Sequence, residues 1–351
     1  MKIFLLLLSL SLALFAKERY QLGDGVQIAS SPIYVGGYFS LNYRHTQAQD
    51  RYQLDDIALL SYASYKKFSY MVEVEYKDLY TKKEYKNNTI TTKDTALYLE
   101  RLYIDYTFNE NYRCRIGKYI SPIGFWNLLP INVLRSTTSD PVSTNILFPE
   151  LTTGFYLSYT QFALSNISID IMLQNNEDLD HKYNNYQMNK HYGIGFTYTK
   201  NNFSSKINIG YFNKLHRYQE DDGHDYEEVQ EDNHYENENY NTTEDLYYIL
   251  VSMRYETENL QIQSELGHQE SSLSPTTPYA FYLQGLYKVA PHHTAILRLE
   301  SYNDKIQQKQ ETFSVFGYNY RPLFPVAFKA ELQIHPKFND NKFLCSLSVL
   351  F

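Results

Sequence analysis

The side chains in this sequence best suited to chemistry are guanidinium groups. Arg101, Arg113 and Arg115 precede a long segment, 121–150, which itself carries Arg135. Arg254, Arg298, Lys206, Lys288 and Lys329 fall on the polar parity of alternating stretches further along. A guanidinium forks onto carboxylate or phosphate, so a cluster beside a narrow passage would draw anions. Glu73, Glu75, Asp105, Asp170, Glu265, Glu300 and Glu331 share those faces. The competing expectation is therefore a salt-bridged lining of little selectivity. No Ser/His/Asn or Asp/His set gathers on one face, and His268 ahead of Ser271 lies at a loop edge. No metal-ligand spacing or cofactor motif is present, and no nucleic-acid partner is expected. The chemistry on offer is attraction and filtering, with no catalytic residue and no enzyme activity.

The elements that would position these groups are strands. Apolar and polar residues alternate over 33–44, 53–62, 67–78, 95–108, 111–120, 151–162, 165–174, 191–199, 203–213, 246–256, 259–268, 278–289, 293–302, 312–320, 325–335 and 342–351. In 67–78, Phe68, Tyr70, Val72, Val74 and Tyr76 alternate with Ser69, Met71, Glu73, Glu75 and Lys77. That is the period of a strand with one greasy face. The links sort by length. Asn109-Glu110, Lys200 to Asn202, Glu256 to Glu258 and Ala290 to His292 are tight turns, whereas 79–94, 121–150, 175–190 and 214–245 are long. An antiparallel transmembrane barrel of about sixteen strands (14–18), with long extracellular loops and short periplasmic turns, would show this alternation. A barrel of that size is wide enough for an aqueous channel.

Composition and the two ends agree. Met1-Lys2, the apolar run Ile3 to Leu14 and Ala16 read as a signal peptide over 1–16. Residues 17–32 would be a periplasmic lead-in and 33–351 the barrel. The run is too short to span a bilayer at about 20 residues, and no long apolar stretch follows, which excludes a helical membrane protein. The chain has 36 Tyr and 20 Phe but one Trp, a content that suits two aromatic girdles. At the other end Phe343, Cys345, Leu347, Val349 and Phe351 share one parity, with Leu344 and Leu350 as exceptions on the other. Cys114 and Cys345 lie on distant strands, and no disulfide is expected between them.

Segment 121–150 is apolar for a loop. It holds Pro122, Gly124, Phe125, Trp126, Asn127 and Leu128 close together. Such a loop should bury itself, and in a wide barrel the place is the lumen, where it would constrict the passage. Loop 214–245 is the opposite. Twelve carboxylates lie between Glu220 and Asp245, with His224 and His234 among them. Removing them from the forty acids leaves 28 against 32 basic residues, so one loop carries the net charge of −8. A solvated surface loop is the expected role; a divalent-cation site near lipopolysaccharide is the alternative.

The terminal segment resembles the C-terminal signature of bacterial outer-membrane barrels, in which a final Phe is read by the barrel-assembly machinery. The run Arg113-Cys-Arg-Ile-Gly-Lys-Tyr-Ile-Ser-Pro-Ile-Gly-Phe-Trp-Asn127 resembles the strand-then-loop motif of the phosphate-selective porin O/P-like group, and Phe316 to Pro322 with Phe328 to Glu331 resembles that group's closing strands. The basic ladder of the phosphate-selective members is longer than the one here. The resemblance implies an outer-membrane porin of a Gram-negative bacterium: a channel for passive diffusion of small hydrophilic solutes or ions, anion-preferring in some members. It would contact lipid bilayer and lipopolysaccharide and form a homotrimer. The alternative is a structural or adhesive barrel without conductance.

Overall fold

The structure is a computed structural model, which describes residues 22–162, 166–216, 242–271, 275–338 and 340–351. The expected signal segment 1–16 and most of the acidic loop, 217–241, lie outside the described residues. Eighteen strands run in chain order. They are β1 (Val26–Gln27), β2 (Ile33–His45), β3 (Gln49–Tyr65), β4 (Phe68–Tyr85), β5 (Asn88–Thr92), β6 (Tyr98–Thr107), β7 (Tyr112–Ile120), β8 (Leu151–Gln161) and β9 (Asn166–Asn175). Then follow β10 (Met188–Lys200), β11 (Phe203–His216), β12 (Thr242–Glu256), β13 (Leu260–Ser271), β14 (Tyr279–Ala290), β15 (His293–Asp304), β16 (Lys309–Leu323), β17 (Val326–Ile334) and β18 (Lys342–Leu350). Setting aside β1 and β5, sixteen strands pair antiparallel with their sequence neighbours, and β18 pairs with β2 to close the barrel. Every described hydrogen-bonding edge of the wall is thereby paired, as a sheet in hydrocarbon requires.

Each strand expected from alternation is present. The weakest two are longer than their pattern, because β3 and β16 run past the alternating core at both ends. The two additional strands were not expected. β1 pairs with the start of β2, and β5 adds to the far end of β4. At one rim the described turns are short, such as Lys66-Lys67, Asn201-Asn202 and Pro291-His292. The other rim carries the longer links, except that 46–48 and 305–308 are short, since the flanking strands extend through the segments expected to be loop.

Burial runs inside out. Ile194, Ile207, Ile209, Leu266 and Leu297 are exposed on the outer face, while Asn208, Ser252, Gln284 and Arg298 are buried inside. The two exceptions in the last strand have a cause. Leu344 is buried on the inner face, and Leu350 packs against an internal cluster that includes Ile131 and Val133 of the long loop. The seam is tight. Phe351 exchanges backbone hydrogen bonds with Gly37, at 2.8 Å to its oxygen and 2.7 Å from its nitrogen. A Cβ on Gly37 would clash with the backbone oxygen of Ala58 on β3 and meet the Phe351 ring at 2.9 Å, so glycine is needed at this point of the seam. Cys114 and Cys345 are both free thiols.

Candidate functional site

Segment 121–150 leaves the end of β7 and crosses the barrel interior. Its two ends are fastened to each other, by Ser121 N donating to Glu150 O at 2.8 Å and by Asn127 Nδ2 donating to Ser121 O and Glu150 O. Gly124 sits at φ +65°, and a Cβ there would meet Glu265 Oε1 at 2.8 Å. Glycine is needed both for the turn and for the approach to the wall. The amides of Phe125 and Trp126 donate to the Glu265 carboxylate, and Asn208 Nδ2 donates to Pro122 O at 3.1 Å.

Further on, the loop carries a 3-10 turn (Asn132–Leu134) and a short helix, α1 (Val142–Ile146). Val142 N donates to Glu300 Oε2 at 2.8 Å, and Ser139 Oγ donates to Glu331 Oε2 at 2.6 Å. Wall carboxylates thus cap the orphan amides of the irregular loop, which the interior of a barrel must satisfy. Apolar contact completes the docking. Ile123, Leu147 and Phe148 pack into a buried cluster with Tyr156, Met172, Phe212, Tyr248 and Leu250 of the inner wall. Within it His191 is held between Thr152 Oγ1 at 2.8 Å and the Tyr248 hydroxyl at 2.9 Å.

The basic residues singled out from the sequence do not gather into one cluster. Arg101 is buried and ion-paired with Glu73. Arg115 forks onto Asp105 at 2.6 and 2.9 Å, with its guanidinium 3.7 Å over the Tyr103 ring. Arg113 lies two residues earlier on the same face of β7, opposite Thr107, and is exposed beside a short turn. Arg254 lies 4.5 Å over the Phe125 ring and donates to Gln263. Arg298 pairs with Glu300 at 2.7 Å and donates to Thr137 Oγ1 and Ser139 Oγ of the loop. Lys329 Nζ donates to Asn132 O at 2.7 Å and Thr137 O at 3.1 Å. Arg254, Arg298 and Lys329 therefore hold the loop down. Arg135 faces open space within the lumen, paired with Asp140 at 2.8 Å within the loop.

That open space is a cavity of about 1290 Å³, bordered by Tyr186 and Ile146 at the edge of the apolar cluster. It includes residues that alternation missed. At β3–β4 the register shifts between Leu54 and Asp56, and at β4–β6 between Glu73 and Val74. Each shift is a β-bulge, which turns an extra side chain to one face. Asp55 and Asp56 both line the cavity, as do Glu75 and Glu100, with Arg44, Arg51 and Lys77 nearby.

The link 176–187 also enters the lumen, which the sequence did not announce. Lys118 Nζ pairs with Asp178 at 2.9 Å, both fully buried, and donates to Tyr183 O at 3.2 Å. The Tyr183 hydroxyl then reaches Glu75 Oε2 at 2.8 Å. The cue was two tyrosines, Tyr183 and Tyr186, in a loop whose one other apolar residue is Leu179. Glu150, at the foot of the long loop, also lines the cavity. Burial first, and Asp140 second, push its carboxyl up to about 7.

Neither a protein-family model nor a curated protein matches the chain. Solved structures do. An anion-selective porin from Comamonas acidovorans superposes with a TM-score of 0.58 at 10% identity, over 91% of this chain and 99% of that one. OmpF of Salmonella typhi, solved with daunomycin, gives 0.58 at 9% identity over 91% and 97%. The outer-membrane channel DcaP of Acinetobacter baumannii gives 0.54 at 10% identity over 93% and 100%. At such identities the likeness is one of architecture. Strand count, antiparallel closure and chain coverage agree across it, and the chain has the closed sixteen-stranded fold of the outer-membrane porins.

Proposed function

We propose that this protein is a passive channel of a Gram-negative outer membrane, through which small hydrophilic solutes and ions diffuse. The observation that carries the reading is the pairing of a loop laid across the lumen with a charged cavity left beside it. Loop 121–150, narrowed further by 176–187, sets the size limit. The cavity lining sets the charge preference. No bond is made or broken.

The lining favours cations over the anion preference that the arginines alone would give. Eleven carboxylates and eight Lys or Arg residues face the cavity. The guanidiniums of Arg101, Arg115 and Arg298 are each matched by a carboxylate. Of the motif that resembles the phosphate-selective group, Arg115 is already forked onto Asp105 and Arg113 stands beside a short turn, so the proposal carries no phosphate selectivity. Bilayer lipid and lipopolysaccharide surround the outer face, the assembly machinery reads the strand ending at Phe351, and the assembly is a homotrimer.

A structural or adhesive barrel is the second reading. The apolar cluster that fills one side of the lumen favours it. Single-channel recording of the refolded protein in a planar bilayer separates the two. Ohmic steps with a reversal potential on the cation side in a KCl gradient are expected. Absence of steps would leave the structural reading, and a strong anion preference would overturn the charge assignment.

A further inference from the structure

We propose that Asp56, Glu75 and Glu100 form a seat for the ammonium group of a small organic cation, which makes amine-bearing solutes preferred cargo of the channel. The proposal rests on the channel reading for the route by which ligand arrives. Two bulges build the seat. The β3 bulge leaves Asp56 facing inward with Asp55, and the β6 bulge turns Glu100 inward beside Arg101. Both flank Glu75 of β4: Glu100 shares the hydroxyls of Tyr38 and Tyr183 with it, and Asp56 lines the same cavity. Bulges re-aim side chains at functional sites, and here two converge on one carboxylate.

The seat is short of donors. Glu75 Oε2 accepts from the hydroxyls of Tyr38 at 3.0 Å and Tyr183 at 2.8 Å. Glu100 Oε2 stands 3.1 Å from each of the same two hydroxyls. A hydroxyl carries one proton, so two tyrosines satisfy only two of these four contacts. Glu75 is 1% exposed, yet its Oε1 has no hydrogen-bond donor. Carboxylates packed together in this way are satisfied by shared protons or by a donor-rich cation, and a cation that enters displaces the protons. An ammonium group brings three N–H donors and a positive charge. One wall already takes such a group, since Lys77 Nζ lies 5.1 Å over the Tyr183 ring. Asp56, Glu75, Glu100, Tyr38 and Tyr183 all face the cavity.

The test uses 1,5-diaminopentane as probe, with 1,5-pentanediol and glutarate as controls of equal length. Calorimetric titration of the refolded protein in detergent is expected to show binding of the diamine alone. Glu75→Gln, Glu100→Gln and Asp56→Asn should each weaken it about tenfold or more, the scale of one charged hydrogen bond, so any variant that folds is informative. In bilayers the diamine should give resolvable blocking events that the variants shorten. Absence of binding to the wild type, equal binding of the diol, or unchanged affinity in folded variants would overturn the seat. Binding without conductance would keep the seat and remove the channel. Displacement of the diamine by millimolar calcium at equal charge would reassign the site to metal.

Discussion

The Arg298 guanidinium lies 5.6 Å over the ring of Trp126, and with that contact the fifteenth strand holds the loop that crosses the barrel. Trp126 is nearly fully buried, sits edge-on to Tyr282, and its indole N–H donates to Asp140 at 3.2 Å. Arg298 is itself fully buried.

Trp126 is the one tryptophan of the chain, so its emission reports on loop docking directly. The native spectrum should be blue-shifted. Arg298→Ala leaves Glu300 buried without its cation, a change worth about 3–5 kcal/mol. It should shift the emission red and raise single-channel conductance while the barrel stays closed. Unchanged emission in the variant would show that the contact does not hold the loop.

Glu150 should give the proposed channel a pH response near neutrality. Its carboxyl is raised to about 7 by burial and by Asp140, so it is neutral at pH 6 and charged at pH 8. Cation preference, read as reversal potential, should grow between those values. The same shift means that the folded state binds this proton more tightly than the unfolded chain does. Its contribution to stability is therefore present below the ordinary carboxylate range and lost as pH rises through about 7. Glu150→Gln should flatten the change in selectivity.

The buried pair Lys118–Asp178 latches link 176–187 inside the lumen. Lys118→Met strands Asp178 and should cost about 3–5 kcal/mol locally. Limited trypsin digestion is the measurement, with cleavage after Lys182 expected to become faster in the variant. Equal rates would mean that the link stays docked through Tyr183 and Tyr186 alone.

At the seam, removal of Phe351 deletes two backbone hydrogen bonds to Gly37. Gly37→Ala places a Cβ against the same ring. Both should lower the yield of folded barrel in lipid vesicles, measured by the heat-dependent shift in gel mobility. A smaller residue in place of Phe351 should not rescue the alanine variant, because the clash with the Ala58 backbone oxygen remains.

Most of the wall was legible because lipid and lumen impose opposite demands on successive residues, and strands such as Phe68 to Lys77 obey them without a break. The long loop was legible for a related reason, since Phe125 and Trp126 are too apolar for a surface. Asp55 and Glu100 were not. Each sits at a bulge, where parity reverses, and a strict two-residue count assigns one of the pair to the wrong face. The pairing of Arg101 with Glu73 and Arg115 with Asp105 was also hidden, because sequence distance says nothing of which strands become neighbours at which height. The entry of 176–187 depends on one lysine, Lys118, whose partner lies sixty residues further along.

The apolar cluster around Phe148 and Tyr248 has an electrical consequence. That part of the lumen is packed with apolar side chains of low polarisability, whereas Asp56, Glu75 and Glu100 line the charged cavity. A voltage applied across the membrane falls mainly where the conducting path is thinnest, and low-dielectric walls concentrate field lines there. If the cavity is the conducting path, its carboxylates feel part of that drop, and occupancy of their seat should depend on the sign and size of the membrane voltage.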